Sequence, residues 1–190
     1  MITFKSRLDK IIDRLISDEF LSNTGLGNEI GFYIFDYPPE YEIEMREHIR
    51  FILRQLPKKK PDLKFKHINL FELIINYLKK RKLLERALQI QKQKGDDALL
   101  KALKGPMDPK KIAQAFVEEA APRKQDLILV SGVGNAYPLL RSHSLLNNLH
   151  ALMEDTPLVM FYPGNYSGQG LSLFGKLKEV HYYRAFQLVL

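Results

Sequence analysis

The sequence predicts a single α/β domain over residues 1–190, with about five strands in a mostly parallel sheet and helices on both faces. Three observations lead to this fold class. A chain of 190 residues has the size of one domain with a sizeable core. Its hydrophobic content of 45% is typical of globular proteins. Short apolar runs alternate along the chain with longer amphipathic stretches, as expected when helices connect parallel strands.

The first part of the chain contains two predicted strands. Apolar residues recur at helical spacing over residues 3–20 and predict an amphipathic helix. The continuous apolar run 30–36 predicts a buried strand, and a helix over about 40–56 follows it. Residues 64–71 form the second predicted strand.

The middle of the chain is predicted to be helical. A helix over about 71–94 has an expected break near Lys82. The polar patch Gly95-Asp96-Asp97 separates it from a short helix that ends at Gly105-Pro106. We interpret the region of about 79–105 as a basic helical insertion in the single domain.

Three further strands are predicted in the last part of the chain. Asp108 and Pro109 have the residue types of an N-cap and a first helical position, and they predict a helix to about Ala121. The remaining predicted elements are strand 127–131, a mostly helical stretch from Tyr137 to Glu154, strand 156–162 and strand 180–188.

The composition excludes several classes of protein. Cysteine is absent, which removes disulfides, thiol catalysis and thiolate metal sites. No window approaches 18 uninterrupted apolar residues, so we expect no membrane span. The N-terminus has no signal-peptide core and runs directly into an amphipathic pattern, so we expect a cytoplasmic protein.

The net charge of +7 is concentrated in the middle of the chain. Residues 57–111 contain 16 Lys and Arg against 6 Asp and Glu, an excess of +10, whereas the remainder carries a net −3. Such a field attracts polyanions without reading their sequence. The same concentration of basic residues is also typical of a solvated helical face. The two densest clusters are Lys58, Lys59, Lys60 and Lys79, Lys80, Arg81, Lys82.

The segment Gly132-Val133-Gly134-Asn135 follows a predicted strand and precedes a predicted helix. Its backbone amides have the placement of a phosphate cradle, or it is simply a tight turn. Tyr137 occupies the position at which a dinucleotide fingerprint has its third glycine. A Walker A loop is absent, so an NTPase-like layout would lack Walker motifs. We therefore expect no cofactor.

No complete catalytic or metal-binding set is present in the sequence. His48 and His67 are isolated, and Ser131 is not in a nucleophile-elbow motif. His150 and Glu154 have the spacing of a metal pair on a helix, but the same spacing is typical of a solvated face. We predict that the protein has no catalytic residues, no resident metal and no enzyme activity.

The loop after the fourth predicted strand is rich in residues that favour turns and contacts. Pro163 and Gly164 predict a sharp turn there. The turn would display Tyr162, Asn165 and Tyr166 to a peptide partner or a stacked base, or would cap the sheet end. Arg141 and His143 belong to another strand end nearby.

The last predicted strand contains an arginine among apolar and aromatic residues. An arginine in such a strand is costly unless it is paired. Asp36 or Glu179 is the expected partner of Arg184. A structural ion pair and a functional site both fit this position.

Several of these segments together resemble a known family. The patterns GxGxxYPLLRSH, PLVxFYPGxY, LFG and YYRAF begin at Gly132, Pro157, Leu173 and Tyr182. They resemble the BrxB family, small accessory proteins of the bacterial BREX phage-defence systems. The resemblance covers the last 65 or so residues closely, and the remainder in length and layout.

The resemblance implies a binding role among other BREX proteins. The family's neighbours include the alkaline-phosphatase-like protein PglZ, the DNA methyltransferase PglX and a large ATPase. We expect a non-catalytic subunit whose first partner is the PglZ-like protein, with Arg141, His143, Tyr162, Asn165 and Tyr166 as contact residues. The alternative is sequence-independent DNA binding by the basic segment 58–111.

Overall fold

The computed structural model describes residues 3–22, 31–178 and 185–190, within which helices and strands alternate. The helices are α1 (Phe4–Leu15), α2 (Asp18–Leu21), α3 (Glu42–Lys59), α4 (Leu70–Lys80), α5 (Leu84–Leu103), α6 (Pro109–Ala120), α7 (Val133–Ala136) and α8 (Ser142–Leu149). The strands are β1 (Phe32–Tyr37), β2 (Phe65–Asn69), β3 (Leu127–Ser131), β4 (Leu158–Tyr166), β5 (Leu171–Leu173), β6 (Leu177–Lys178) and β7 (Phe186–Gln187).

The main sheet has five parallel strands in the order β2-β3-β4-β1-β7. In the centre, β1 pairs with β4 from Phe32 opposite Leu158 to Tyr37 opposite Pro163. Two short antiparallel strands, β5 and β6, extend from the end of β4. The predicted mostly parallel sheet is confirmed, and the short antiparallel extension was not predicted.

Apolar side chains cover both faces of the sheet because the buried strands are apolar at nearly every position. In β1, Phe32 and Ile34 point to the layer that contains α4, α5, α6, α7 and α8. Tyr33 and Phe35 point to the opposite layer, which contains α1, α2 and α3. This alternation follows from the two-residue period of a strand. The predicted helices on both faces are confirmed.

Helix boundaries follow local sequence signals. The carboxylate of Asp108 accepts hydrogen bonds from the backbone N–H of Lys110 and Lys111, with Pro109 in the first turn of α6. The helix ends at Ala120, and the next residue, Ala121, has a left-handed φ of 47° and is followed by Pro122. The predicted cap and stop of this helix are therefore confirmed.

The predicted basic insertion consists of the end of α4 together with α5. The expected break is present, since Lys82 has a φ of 57° between the two helices. A second irregularity lies within α5 at Gly95, the first residue of the polar patch, which has a non-helical φ of 82°. None of the helices in the described ranges is long and apolar enough to cross a membrane.

The prediction that the stretch from Tyr137 to Glu154 is mostly helical was wrong. The chain forms α7 before this stretch and α8 only from Ser142 to Leu149. A cis peptide bond joins Tyr137 to Pro138 between the two helices. The proline ends the helical path because it lacks an N–H and disfavours the α conformation in the residue before it.

The predicted turn at Pro163-Gly164 was also wrong. β4 continues through both residues to Tyr166, and the chain turns later, where Gly168 has a φ of 83°. Gly164 is needed for close packing, because a Cβ there would overlap the carbonyl oxygen of Ser172 in β5. The predicted last strand, 180–188, is described only from residue 185 onward, and β7 is its described part.

Candidate functional site

Polar side chains lie at the carboxyl ends of three of the parallel strands. β1, β2 and β3 end at Tyr37, Asn69 and Ser131, and these side chains project to the sheet face that α3 covers, as does His67. Ligands of open α/β sheets bind outside the carboxyl ends of the strands. This edge is therefore the candidate functional site.

A crevice of about 310 Å³ lies where α3 passes the carboxyl ends of β2 and β3. We call it the carboxyl-edge crevice. One wall belongs to α3, and the opposite wall belongs to the strand ends and to the first turns of α4 and α7. Its lining residues are Tyr37, Glu42, Arg46, Ile49, Arg50, Leu53, His67, Asn69, Phe71, Glu72, Ser131, Gly132 and Asn135.

The floor of the crevice contains a histidine–serine pair. His67 Nε2 lies 2.8 Å from the hydroxyl oxygen of Ser131, which is nearly buried. Burial lowers the pKa of His67, and the positive charge of Lys66 lowers it further. The imidazole is therefore neutral near pH 7. His67 is isolated in the sequence, but the parallel register of β2 and β3 sets it opposite Leu129, and Ser131, two residues further along the same face, lies within hydrogen-bond distance.

A hydrogen-bonded network fixes the α3 wall. The Tyr37 hydroxyl donates to Glu42 at 2.6 Å, and the Arg46 guanidinium donates to Glu42 at 2.8 Å and to Asn135 at 2.7 Å. Burial raises the pKa of Tyr37, and its hydrogen bond to Glu42 raises the pKa further. The network ties α3 to the end of β1 and to α7, so this part of the surface is preformed.

Asn69 shapes the other side of the crevice. Its side-chain oxygen accepts hydrogen bonds from the backbone N–H of Phe71 and Glu72 and so caps α4. Gly132 packs directly on this amide, since a Cβ at that position would overlap the Asn69 oxygen. Gly132 also has a left-handed φ of 73°. The sequence allows either a phosphate cradle or a tight turn in this segment. The close packing on Asn69 and the left-handed φ explain why the first residue of the turn is a glycine.

The tyrosines of the β4 end do not have the exposure that was predicted. Tyr162 is fully buried and Tyr166 is 7% exposed, whereas Asn165 between them is exposed. Tyr166 donates from its hydroxyl to the Ala185 carbonyl at 2.5 Å, and its backbone N–H donates to Asp36. The alternation of side chains along a strand explains this burial. Because β4 continues to Tyr166, Tyr162 and Tyr166 lie on the same face of the strand and both point inward.

Asp36 is held by the N-terminal helix. The Arg7 guanidinium lies 2.7 Å from its carboxylate and also donates to its backbone carbonyl. Gln187 of β7 donates to the same carboxylate. The expected partnership of Arg184 with Asp36 or Glu179 lies outside the described residues.

Arg141 and His143 lie at the start of α8. Arg141 is exposed and occupies the N-cap position, and His143 is half-buried with Nε2 3.0 Å from the Ser144 hydroxyl. Neither lines the carboxyl-edge crevice. The candidates at the two strand ends therefore do not join the crevice residues in one pocket.

The two basic clusters differ in their pairing. Lys59 and Lys60 form ion pairs with Asp13 and Asp18 at 3.1 and 3.0 Å, and Lys60 also donates to the Ile16 carbonyl. Lys58 is exposed. In the second cluster all four residues, Lys79, Lys80, Arg81 and Lys82, are exposed, and none forms an ion pair within the described ranges.

A larger cavity of about 660 Å³ opens at the amino edge of the sheet. Several of its polar groups already serve the fold. Arg123 pairs with Glu154 at 2.6 Å, and Asp126 accepts from the backbone N–H of Lys64. The Thr156 hydroxyl donates to the Pro122 carbonyl. Glu154 is thus the partner of an arginine, and no group of three or more metal-binding side chains occurs among the described residues.

The residues that sequence reasoning missed are Arg46, Arg50, His67, Asn69 and Ser131. The three arginines of α3, at positions 46, 50 and 54, are spaced by four residues and lie along one side of a helix. This spacing, together with the polar residues at two strand ends, is the sequence signal that could have identified the crevice residues. The missing information was that β2 and β3 are neighbours.

Comparison with known proteins places the chain in a family. A family model described as BREX protein BrxB matches residues 66–188. A BREX protein BrxB of Escherichia coli O9:H4 (strain HS) is 46% identical over 96% of this chain and 90% of its own length. Another, of Bacillus cereus (strain H3081.97), is 40% identical over 100% of this chain and 99% of its own length. No solved structure matches. The chain therefore belongs to the BrxB family of BREX systems.

Proposed function

We propose that this protein is a non-catalytic accessory subunit of a BREX antiphage defence complex, and that it binds other BREX proteins through the carboxyl edge of its sheet. The PglZ-like protein is the first proposed partner, followed by the PglX-like methyltransferase and the large ATPase. The relatives named as BREX proteins support a role in a BREX system, since they align with nearly the whole chain.

The geometry of the carboxyl edge carries the proposal for a binding role. Two of its titratable groups are engaged by neighbours in the same chain, since Glu42 accepts from Tyr37 and Arg46, and His67 lies within hydrogen-bond distance of Ser131. Such fixed groups form a rigid surface for a partner. Exposed Asn165 and Arg141 extend this surface beyond the crevice.

Co-purification from a strain that carries the whole BREX system tests the proposal. Tagged protein should recover the PglZ-like subunit at low salt. Asn165→Arg should reduce this recovery severalfold, because a bulky charge at an interface must be accommodated or desolvated. Asn76→Arg on α4 is the matched control, since Asn76 is also exposed but lies away from the carboxyl edge. Recovery of no BREX component by the wild-type protein would contradict the proposal.

Sequence-independent DNA binding is the second candidate function. The observation that favours it is that Lys79, Lys80, Arg81 and Lys82 are exposed and form no ion pair within the described chain. Each cation that neutralises a phosphate releases counterions and steepens the dependence of affinity on salt. Lys59 and Lys60 contribute less to this proposal, because carboxylates already occupy them.

A titration with random duplex DNA at low salt tests this candidate. Replacing Lys79, Lys80, Arg81 and Lys82 by alanine should weaken binding evenly across sequences and lower the salt slope by about one for each lost phosphate contact. Asn165→Ala is the control and should leave the affinity unchanged. Absence of binding by the wild-type protein would assign these cations to solubility or to an acidic protein partner, and sequence-selective binding would contradict the backbone-only mechanism.

A further inference from the structure

We propose that the carboxyl-edge crevice receives an acidic segment of the partner subunit. Arg50 holds a carboxylate of that segment, and a neighbouring apolar side chain packs on Phe71. The inference rests on the proposed protein-binding function and adds the chemistry that the partner must present.

Arg50 is the available cation of the crevice. Arg46, one turn earlier on α3, is already bound by Glu42 and Asn135. Arg50 lines the crevice and is exposed, and within the part of the chain that the structure describes it forms no hydrogen bond or ion pair. A guanidinium presents a planar fork that matches a carboxylate with two parallel hydrogen bonds. Arg54, one turn further, is exposed as well and extends the positive side of the helix.

The carboxylates around the crevice favour a peptide over a polyanion. Glu72 also lines it, and Glu47 is exposed on α3 between the arginines. A duplex backbone with a charge at every phosphate would bring negative charge to the Glu72 carboxylate in the crevice wall. A peptide offers a single carboxylate beside backbone N–H groups, which Glu72 and the polar floor at His67 and Ser131 are able to bind.

Apolar lining completes the match to a protein segment. Phe71 is 38% exposed at the edge of the crevice, and Leu53 and Ile49 line the α3 side. Ile43, near the start of α3, is 74% exposed. Arginine and aromatic residues are typical of the residues that dominate binding energy in protein interfaces, and Arg50 and Phe71 bring both types to this mostly polar crevice. A volume of about 310 Å³ accommodates a side chain together with its adjoining backbone.

The first experiment measures the affinity of the purified protein for the PglZ-like subunit by calorimetry. Arg50→Glu should weaken binding by about tenfold or more, because it places a charge of the wrong sign opposite the carboxylate. Arg86→Glu is the matched control, since Arg86 is an exposed arginine of α5 outside the crevice, and it should leave the affinity within about twofold. Circular dichroism of each variant establishes that the fold is retained.

The second experiment identifies the bound segment. Photo-crosslinking from p-benzoylphenylalanine at position 71 in the complex should attach to a segment that contains Asp or Glu next to an apolar residue. Wild-type affinity of Arg50→Glu, a crosslinked segment without an acidic residue, or a crosslink to DNA would each overturn the inference and leave the proposed subunit role standing. If the wild-type protein captures no BREX protein at all, the proposed function itself fails.

Discussion

At the residue scale, His67 links the stability of the protein to pH. Burial lowers its pKa, and Lys66 lowers it further, so the folded protein favours the neutral ring. The unfolded chain takes up the proton more readily, near a pKa of about 6.5. The contribution of the neutral ring to stability is therefore fully present above that pH and is lost as the pH falls through and below it.

We predict that replacing His67 by glutamine reduces this acid destabilisation. Glutamine keeps an amide group that is able to hydrogen-bond Ser131 but has no proton to gain. Urea unfolding at about pH 7.5 and about pH 5.5 should show a smaller difference for the variant than for the wild-type protein. His48→Gln is the comparison, because burial also lowers the pKa of His48. The change that His48→Gln makes in the acid destabilisation should be independent of the change that His67→Gln makes. Equal losses in the wild-type protein and His67→Gln would contradict the role of His67.

At the element scale, the junction of β4 and β5 depends on one glycine. Gly164 pairs with Leu173 and has a φ of 157°, and a Cβ there would overlap the Ser172 carbonyl oxygen. We predict that Gly164→Ala lowers the free energy of unfolding by about 2 kcal/mol or more, because the two strands must separate. Gly105→Ala is the control, since open space surrounds Gly105, and it should change stability by less than about 1 kcal/mol. Urea denaturation measures both, and equal effects would contradict this account.

At the scale of the whole molecule, two apolar layers share one sheet. Ile34 belongs to the layer with α4 to α8, and its neighbour Phe35 belongs to the layer with α1 to α3. We predict that the two layers unfold together in one transition, because disordering either face exposes strands that support the other. The chain has no tryptophan, so tyrosine fluorescence and far-UV circular dichroism are the suitable probes. Separate midpoints for the two signals would show that the layers are independent units.

The elements that sequence patterns predicted well are those with strong local signals. The apolar runs at β1 and β3 and the Asp108-Pro109 start of α6 required no knowledge of distant residues. Tyr137 to Glu154 was predicted poorly, because apolar spacing continued across a proline that ends the helical path. The end of β4 was predicted poorly because Pro163 and Gly164 are residue types that favour a turn, whereas here both lie within a strand.

The sequence by itself determined the fold class, the location of the charge and the family. These properties depend on periodicity, on composition and on motifs that are continuous in the chain. Only the tertiary structure decided which side chains meet at the carboxyl edge. His67 and Ser131 are 64 positions apart, and Arg46 and Asn135 are 89 apart. Their contacts follow from strand order and register, which set long-range neighbours that no local pattern encodes.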